Sequence, residues 1–173
     1  MSSESDRLQY VRLGRTGVVI SRLCFGVLTV GPLQANLPLE EGAEVIAYAL
    51  NRGINFLDTA EAYQTYPYIR RALELARVQP VIATKSYAYT RQGMKESLDR
   101  ARDEMGIKTV DIFLLHEQEN ELTLAGHREA LEFLFEARRK GWVRAVGIST
   151  HSVRGVVAGT KNEGIEVIHP IIN

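Results

Sequence analysis

The chain has 173 residues, 45% of them hydrophobic, enough for one sizeable core and too few for two ordinary domains, so a single domain over residues 1–173 is expected. Lys plus Arg and Asp plus Glu are each 21, so the formal net charge is zero and no overall field draws the protein to nucleic acid or to an anionic membrane. The opening MSSESDRLQYVRLG has no apolar run of signal-peptide length, and nothing later approaches the roughly 20 apolar residues of a membrane span, so a cytoplasmic protein is expected.

Taken in chain order, LQYVRLG and VVIS flank the turn sequence Arg15-Thr16-Gly17, which predicts a β-hairpin over residues 7–20 ahead of the main fold, placed as a lid over one end of it. The single cysteine, Cys24, excludes an internal disulfide and any cysteine-based metal cluster. Its apolar setting, RLCFG, predicts a packed, inert thiol. Apolar runs then recur about every 30 residues, the size of a βα unit. They begin near Arg22 (RLCFG), Ile54 (INFLD), Val81 (VIATK), Val110 (VDIFLLH), Val143 (VRAVGIS) and Glu166 (EVIHPII). Helical periodicity fills the intervals: Val45, Ile46, Ala49 and Leu50 form one predicted apolar stripe, and Leu131, Leu134 and Phe135 another. Gly53, Gly106, Gly141 and Gly164 follow predicted helix ends, where a left-handed residue is favoured. Strands this apolar, with little alternation, are buried on both faces, as in a parallel sheet wrapped by helices.

Each apolar run ends in a residue able to do chemistry or hold a ligand, always at the C-terminal end. The second run leads into Asp58, with Tyr63 five residues on. The third ends at Lys85, the fourth at His116, the fifth at Ser149 and Thr150, and the sixth reaches His169 and Asn173. In a (β/α) barrel those ends converge on one face. An open nucleotide-binding sheet would put a glycine-rich phosphate loop after its first strand, where this chain reads GVLTVGP. The fold class is therefore α/β, of the (β/α)8 TIM-barrel type, here with six βα units behind an N-terminal hairpin.

In a partly dehydrated pocket, a lysine ammonium beside a tyrosine would favour phenolate and lower the phenol's pKa. Asp58 would keep Lys85 charged and placed, and His116 could hydrogen-bond a substrate oxygen. The set suits proton donation to a carbonyl oxygen that receives hydride, and no side chain donates hydride, so a redox cofactor is implied. Other readings stand beside this one. Asp58 could be a local cap, Tyr63 a packed tyrosine like Tyr66 or Tyr68, and Lys85 a snorkelling strand end or a Schiff-base nucleophile. Ser149 and Thr150 could cap the helix expected near His151. His116 with His127 lacks any recognised metal-ligand spacing, so no metal is expected.

The stretches LGRTGVVISRLCFGVLTVG, GINFLDTAEAY, VIATK, VDIFLLH and VRAVGIS, in this order and spacing, resemble the aldo-keto reductases across essentially the whole chain. The resemblance implies an oxidoreductase that reduces an aldehyde or ketone with NADPH, or NADH, through the tetrad Asp58, Tyr63, Lys85 and His116, with Tyr63 as general acid. It also implies that Gly26, Val27 and Leu28, with Asp58, approach the nicotinamide, and that Ser149, Thr150, His169 and Asn173 meet its amide or ribose. Thr150 stands where Asn is common and His169 where Gln is common. A closed barrel of this kind has eight strands in about 250 residues. With six counted, strands seven and eight and their phosphate-holding loops are expected to be missing. Open edges would then favour self-association, and an incomplete fragment acting as a regulatory or assembly module is the alternative function. The acidic loop HEQENEL predicts a mildly anionic rim that disfavours acidic substrates.

Overall fold

The computed structural model describes residues 8–172; residue 7 of the predicted hairpin and Asn173 of the predicted cofactor site lie outside the described residues. Strands β1 (Tyr10–Arg12) and β2 (Val19–Ser21) pair antiparallel, with Tyr10 opposite Ser21 and Arg12 opposite Val19. Thr16 closes their turn: its hydroxyl donates to the Leu13 carbonyl at 2.6 Å and accepts from the Val18 N–H at 3.1 Å. Val18 and Ile20 are buried against Val81, Ile112 and Ala145, so the hairpin covers the N-terminal end of the main sheet.

Five βα units and a sixth strand follow among the described residues. Their elements are β3 (Phe25–Gly26), α1 (Leu39–Asn51), β4 (Phe56–Asp58), α2 (Tyr66–Leu75), β5 (Val81–Ser86), α3 (Arg91–Met105), β6 (Val110–Leu115), α4 (Glu121–Gly126), α5 (Arg128–Arg139), β7 (Val143–Thr150), α6 (Val153–Thr160) and β8 (Val167–Pro170). All neighbouring pairs of the sheet are parallel in the order β3-β4-β5-β6-β7-β8, giving a curled half-barrel with β3 and β8 at its edges.

The strands are apolar on both faces because each face has its own core. Leu57, Ile82, Phe113, Leu115, Val146 and Ile148 pack outward against helices, while Val81, Ala83, Ile112, Leu114 and Ala145 face the barrel interior. This alternation decides which strand-end residues reach the active face, since successive side chains of a strand point to opposite sides. Asp58 continues the inward set of Phe56, Lys85 that of Ala83, and His116 that of Leu114. By the same parity Ser149 and His169 point inward, and Thr150 points towards the helices.

Three local expectations need correction. Val45 is 43% exposed, because the stripe that α1 buries is turned away from it and includes Ala43, Ile46, Ala47, Ala49 and Leu50. Gly164 does not take the left-handed conformation seen at Gly106, the residue that ends α3 with φ of 69°. It is needed for space, since a Cβ there would lie 2.3 Å from the Phe135 ring. Cys24 is exposed rather than packed: β3 is an edge strand, and the thiol lines the interior hollow with Leu13, Phe56, Ile112 and Val167. The apolar walls of that hollow, and then the charge of Asp58, disfavour the thiolate and push its pKa up to about 12, so it is still a poor nucleophile. Among the described residues, no helix is long and apolar enough to cross a membrane.

Candidate active site

Asp58, Tyr63, Lys85 and His116 share one cavity of about 490 Å3 at the C-terminal ends of the strands. Lys85, buried on β5, donates to both carboxylate oxygens of Asp58 at 2.8 Å and to the Thr59 carbonyl at 2.7 Å, so all three ammonium hydrogens are engaged. Tyr63 sits on a 3-10 turn, Glu61–Tyr63, that follows β4. The Lys85 Nζ lies 5.0 Å from its ring centroid. His116 meets that ring edge-on, with centroids 5.9 Å apart.

The turn that carries Tyr63 is anchored from behind. The Glu61 carboxylate accepts from Ser86 at 2.6 Å and Ser97 at 2.8 Å, and pairs with Arg100 at 3.1 Å. Ser86 follows Lys85 on β5 with the opposite parity, so the same strand end fixes both the ammonium and the turn. Nothing local in the sequence singles out Glu61, because its partners come from an outward strand position and from α3.

The electrostatics correct one expectation. Tyr63 has its pKa raised, not lowered, first by burial and then by the carboxylates of Asp58 and Glu117. Lys85, held in a bidentate pair by Asp58, does not outweigh these contributions. The phenol is therefore protonated at neutral pH. Burial, and then the Lys85 ammonium, pull His116 down to about 4 from an ordinary 6.5, so its imidazole is neutral, and its Nδ1 is buried without a hydrogen-bond partner in the protein.

A folded-state pKa below the unfolded one means that the unfolded chain takes the proton first as pH falls. His116 therefore costs the native state stability progressively from about pH 6.5 down to about 4, and no more below that. Among the four imidazoles followed by NMR titration, one should have its midpoint near 4 and vanish in His116→Gln. Four midpoints near the ordinary value would contradict the buried neutral ring.

The cofactor set divides. Leu28, Ser149 and His169 line the cavity with Asp58. Gly26 is paired opposite Asp58, and a Cβ added to it would meet nothing within 4 Å, so the backbone there is open to approach. Val27, by contrast, is turned into the helix-facing core. Thr150 is also outside the cavity: it is fully buried, with its hydroxyl accepting from the Ser152 N–H at 3.1 Å and pressed against Gly155 of α6. Nor do Ser149 and Thr150 cap α6; that role belongs to Ser152, whose hydroxyl accepts from the Gly155 N–H at 2.9 Å. His169 Nδ1 lies 3.6 Å from Asp58 Oδ1, and burial lowers its pKa.

Of the polar lining residues, Tyr87 and His151 were not expected in the site, and Glu117 belongs to the acidic loop read as an anionic rim. Tyr87 stacks on His116 with centroids 4.1 Å apart and planes 18° from parallel, while Glu117 and His151 stand beside it at the mouth. Tyr87 lies two positions after Lys85, so strand parity carried past the end of β5 could have found it. Among the described residues, no group of three or more His, Cys, Asp or Glu is arranged to hold a metal ion.

A parallel βα half-barrel with an Asp-Tyr-Lys-His cluster on its C-terminal face defines an oxidoreductase-type scaffold. Comparison with known proteins makes this specific. The model of the Aldo/keto reductase family matches residues 22–168, and the chain belongs to that family. An aldo-keto reductase of Mycolicibacterium paratuberculosis is 29% identical over 150 residues, covering 80% of this chain and 52% of that protein. A probable aldo-keto reductase of Glycine max is 30% identical over 159 residues, covering 84% and 46%. A thermostable aldo-keto reductase solved with the inhibitor epalrestat superposes with a TM-score of 0.81 at 27% identity, covering 96% of this chain and 63% of that one. The chain thus spans about half the length of the curated relatives it matches.

Proposed function

We propose that the chain carries the reacting end of an NADPH-dependent carbonyl reductase that converts an aldehyde or ketone to an alcohol, with Tyr63 as the general acid. The observation that carries this is Lys85 held bidentately by Asp58, with the Tyr63 ring 5.0 Å away and a neutral His116 beside it. A reduced nicotinamide supplies the hydride when bound. Tyr63 passes its proton to the carbonyl oxygen, His116 hydrogen-bonds that oxygen, and the Asp58–Lys85 pair fixes a cation at the tyrosine ring.

The residues present fit that end of the cofactor. The His116 Nδ1 has unused hydrogen-bonding capacity, and Ser149 and His169 offer polar groups to an amide. Lys85 is the one lysine or arginine among the described lining residues, and it is already paired. Such a cavity suits an uncharged ring and a carbonyl compound rather than a pyrophosphate. NADH is the alternative donor.

A second reading, the fragment that acts by assembly, is favoured by one feature. Strand β8 is an edge of the sheet, its Val167 and Ile168 line the apolar hollow, and Ile171 and Ile172 just after it are 55% and 90% exposed. One titration separates the two. NADPH fluorescence, followed at two protein concentrations with the 173-residue chain, should saturate, with a Kd independent of protein concentration if the half-barrel binds alone. Saturation that strengthens with protein concentration favours assembly, and no saturation contradicts the reductase reading for this chain.

A further inference from the structure

We propose that Glu117 selects the substrate: its carboxylate, set at the cavity mouth, favours carbonyl compounds that carry hydroxyl groups beside the reacting carbon and turns away those that carry a carboxylate. This rests on the reductase reading and adds a substrate class to it. Of the acidic residues that follow β6, only Glu117 lines the cavity. Glu119 accepts from the His151 N–H at 2.8 Å and Glu121 pairs with Lys161 at 3.4 Å, and neither lines the cavity. The anionic rim read from HEQENEL thus comes down to one side chain.

The backbone is specialised to present it. Glu117 has φ of 53°, a left-handed conformation that side-chain-bearing residues seldom adopt and that persists only where surrounding structure enforces it. The enforcement comes from β7: the Glu117 N–H donates to the Ser149 hydroxyl at 2.9 Å, and the Gln118 N–H donates to the Ser149 carbonyl at 2.7 Å. That turn brings Glu117 into the cavity that Tyr87 and His151 also line, with the His151 Nε2 4.0 Å from its carboxylate. Tyr87 in turn stacks on His116, so the carboxylate is one ring away from the group that orients the carbonyl oxygen.

Charge bookkeeping within the cavity gives the selectivity its sign. Asp58 and Lys85 cancel as a pair and His116 is neutral, so above the imidazole range Glu117 is the uncompensated charge among the described lining residues. A substrate carboxylate meets repulsion in a partly dehydrated site, whereas a substrate hydroxyl can donate to the carboxylate, a charge-assisted hydrogen bond.

The test uses the chain with NADPH at pH 8 and three probes: succinic semialdehyde, butanal and glyceraldehyde. Ratios of kcat/KM are compared between wild type and variants, so that the active fraction and aldehyde hydration both cancel. Glu117→Gln, which removes the charge, should raise the succinic semialdehyde to butanal ratio about tenfold. Glu117→Leu, which removes the acceptor, should lower the glyceraldehyde to butanal ratio about tenfold. Turnover of all three probes with either ratio unmoved within about twofold overturns this inference and leaves the reductase reading standing. No turnover of any probe by the wild type overturns the reductase reading, and this inference with it.

Discussion

Tyr63→Phe is expected to lower NADPH-dependent turnover of an aldehyde by about 10²- to 10⁴-fold, the usual worth of a positioned general acid, while leaving the fold and NADPH binding as they were. The substitution removes one hydroxyl and nothing else. The ring that Lys85 faces at 5.0 Å and His116 meets at 5.9 Å is kept, so the cation–π and edge-on contacts survive. The raised pKa of Tyr63 sharpens the expectation. A phenol pushed up by burial and by nearby carboxylates is fully protonated at neutral pH, as an acid must be, and it cannot act as a phenolate base there. Single-turnover kinetics of the variant, with its NADPH affinity measured alongside, checks this. Turnover retained to within tenfold would remove Tyr63 from the chemistry and shift the proton donor to another group of the cavity.

Much of this was legible in the sequence for an identifiable reason. The apolar runs are continuous because both faces of each strand are buried, and each ends where the active face begins. The order of the runs and the C-terminal placement of Asp58, Lys85 and His116 were therefore expected from burial and the barrel-face rule, and the structure adds the strand parity that turns them inward. The parity that placed those residues also puts Ser149 inside and Thr150 against α6. Reading Ser149 and Thr150 together as ligand contacts ignored a two-residue repeat that was visible in VRAVGIST.

What the sequence hid depends on partners distant along the chain. Nothing local marks Glu61 as the anchor of the tyrosine turn, since its partners Ser86, Ser97 and Arg100 lie 25 to 39 residues further on. The direction of the Tyr63 shift was misjudged on similar grounds. A lysine was counted as a free charge, and only the geometry makes it one half of a pair. Cys24 was read as packed because its neighbours are apolar, but an edge strand has no further strand to cover it.

Lys85→Met is expected to destabilise the fold by about 3 kcal/mol, as removal of one partner from a largely buried ion pair does, and to lower turnover as well. Methionine matches the length of the lysine stem but leaves three acceptor positions without their donor: both Asp58 oxygens at 2.8 Å and the Thr59 carbonyl at 2.7 Å. The Asp58 side chain is only 18% exposed, so water cannot fully replace the ammonium, and His169 at 3.6 Å is the remaining cationic candidate nearby. A partner variant isolates the cause. If the loss comes from an unpaired buried carboxylate, then Asp58→Asn combined with Lys85→Met should be more stable than Lys85→Met alone, because the amide needs no counter-charge. Urea unfolding of the wild type, both single variants and the double variant measures the coupling directly. A double variant no more stable than Lys85→Met would show that lost packing on β5, rather than the charge on Asp58, dominates. In that case the pair's role would lie in aligning the cation with the Tyr63 ring and not in holding the strand ends together.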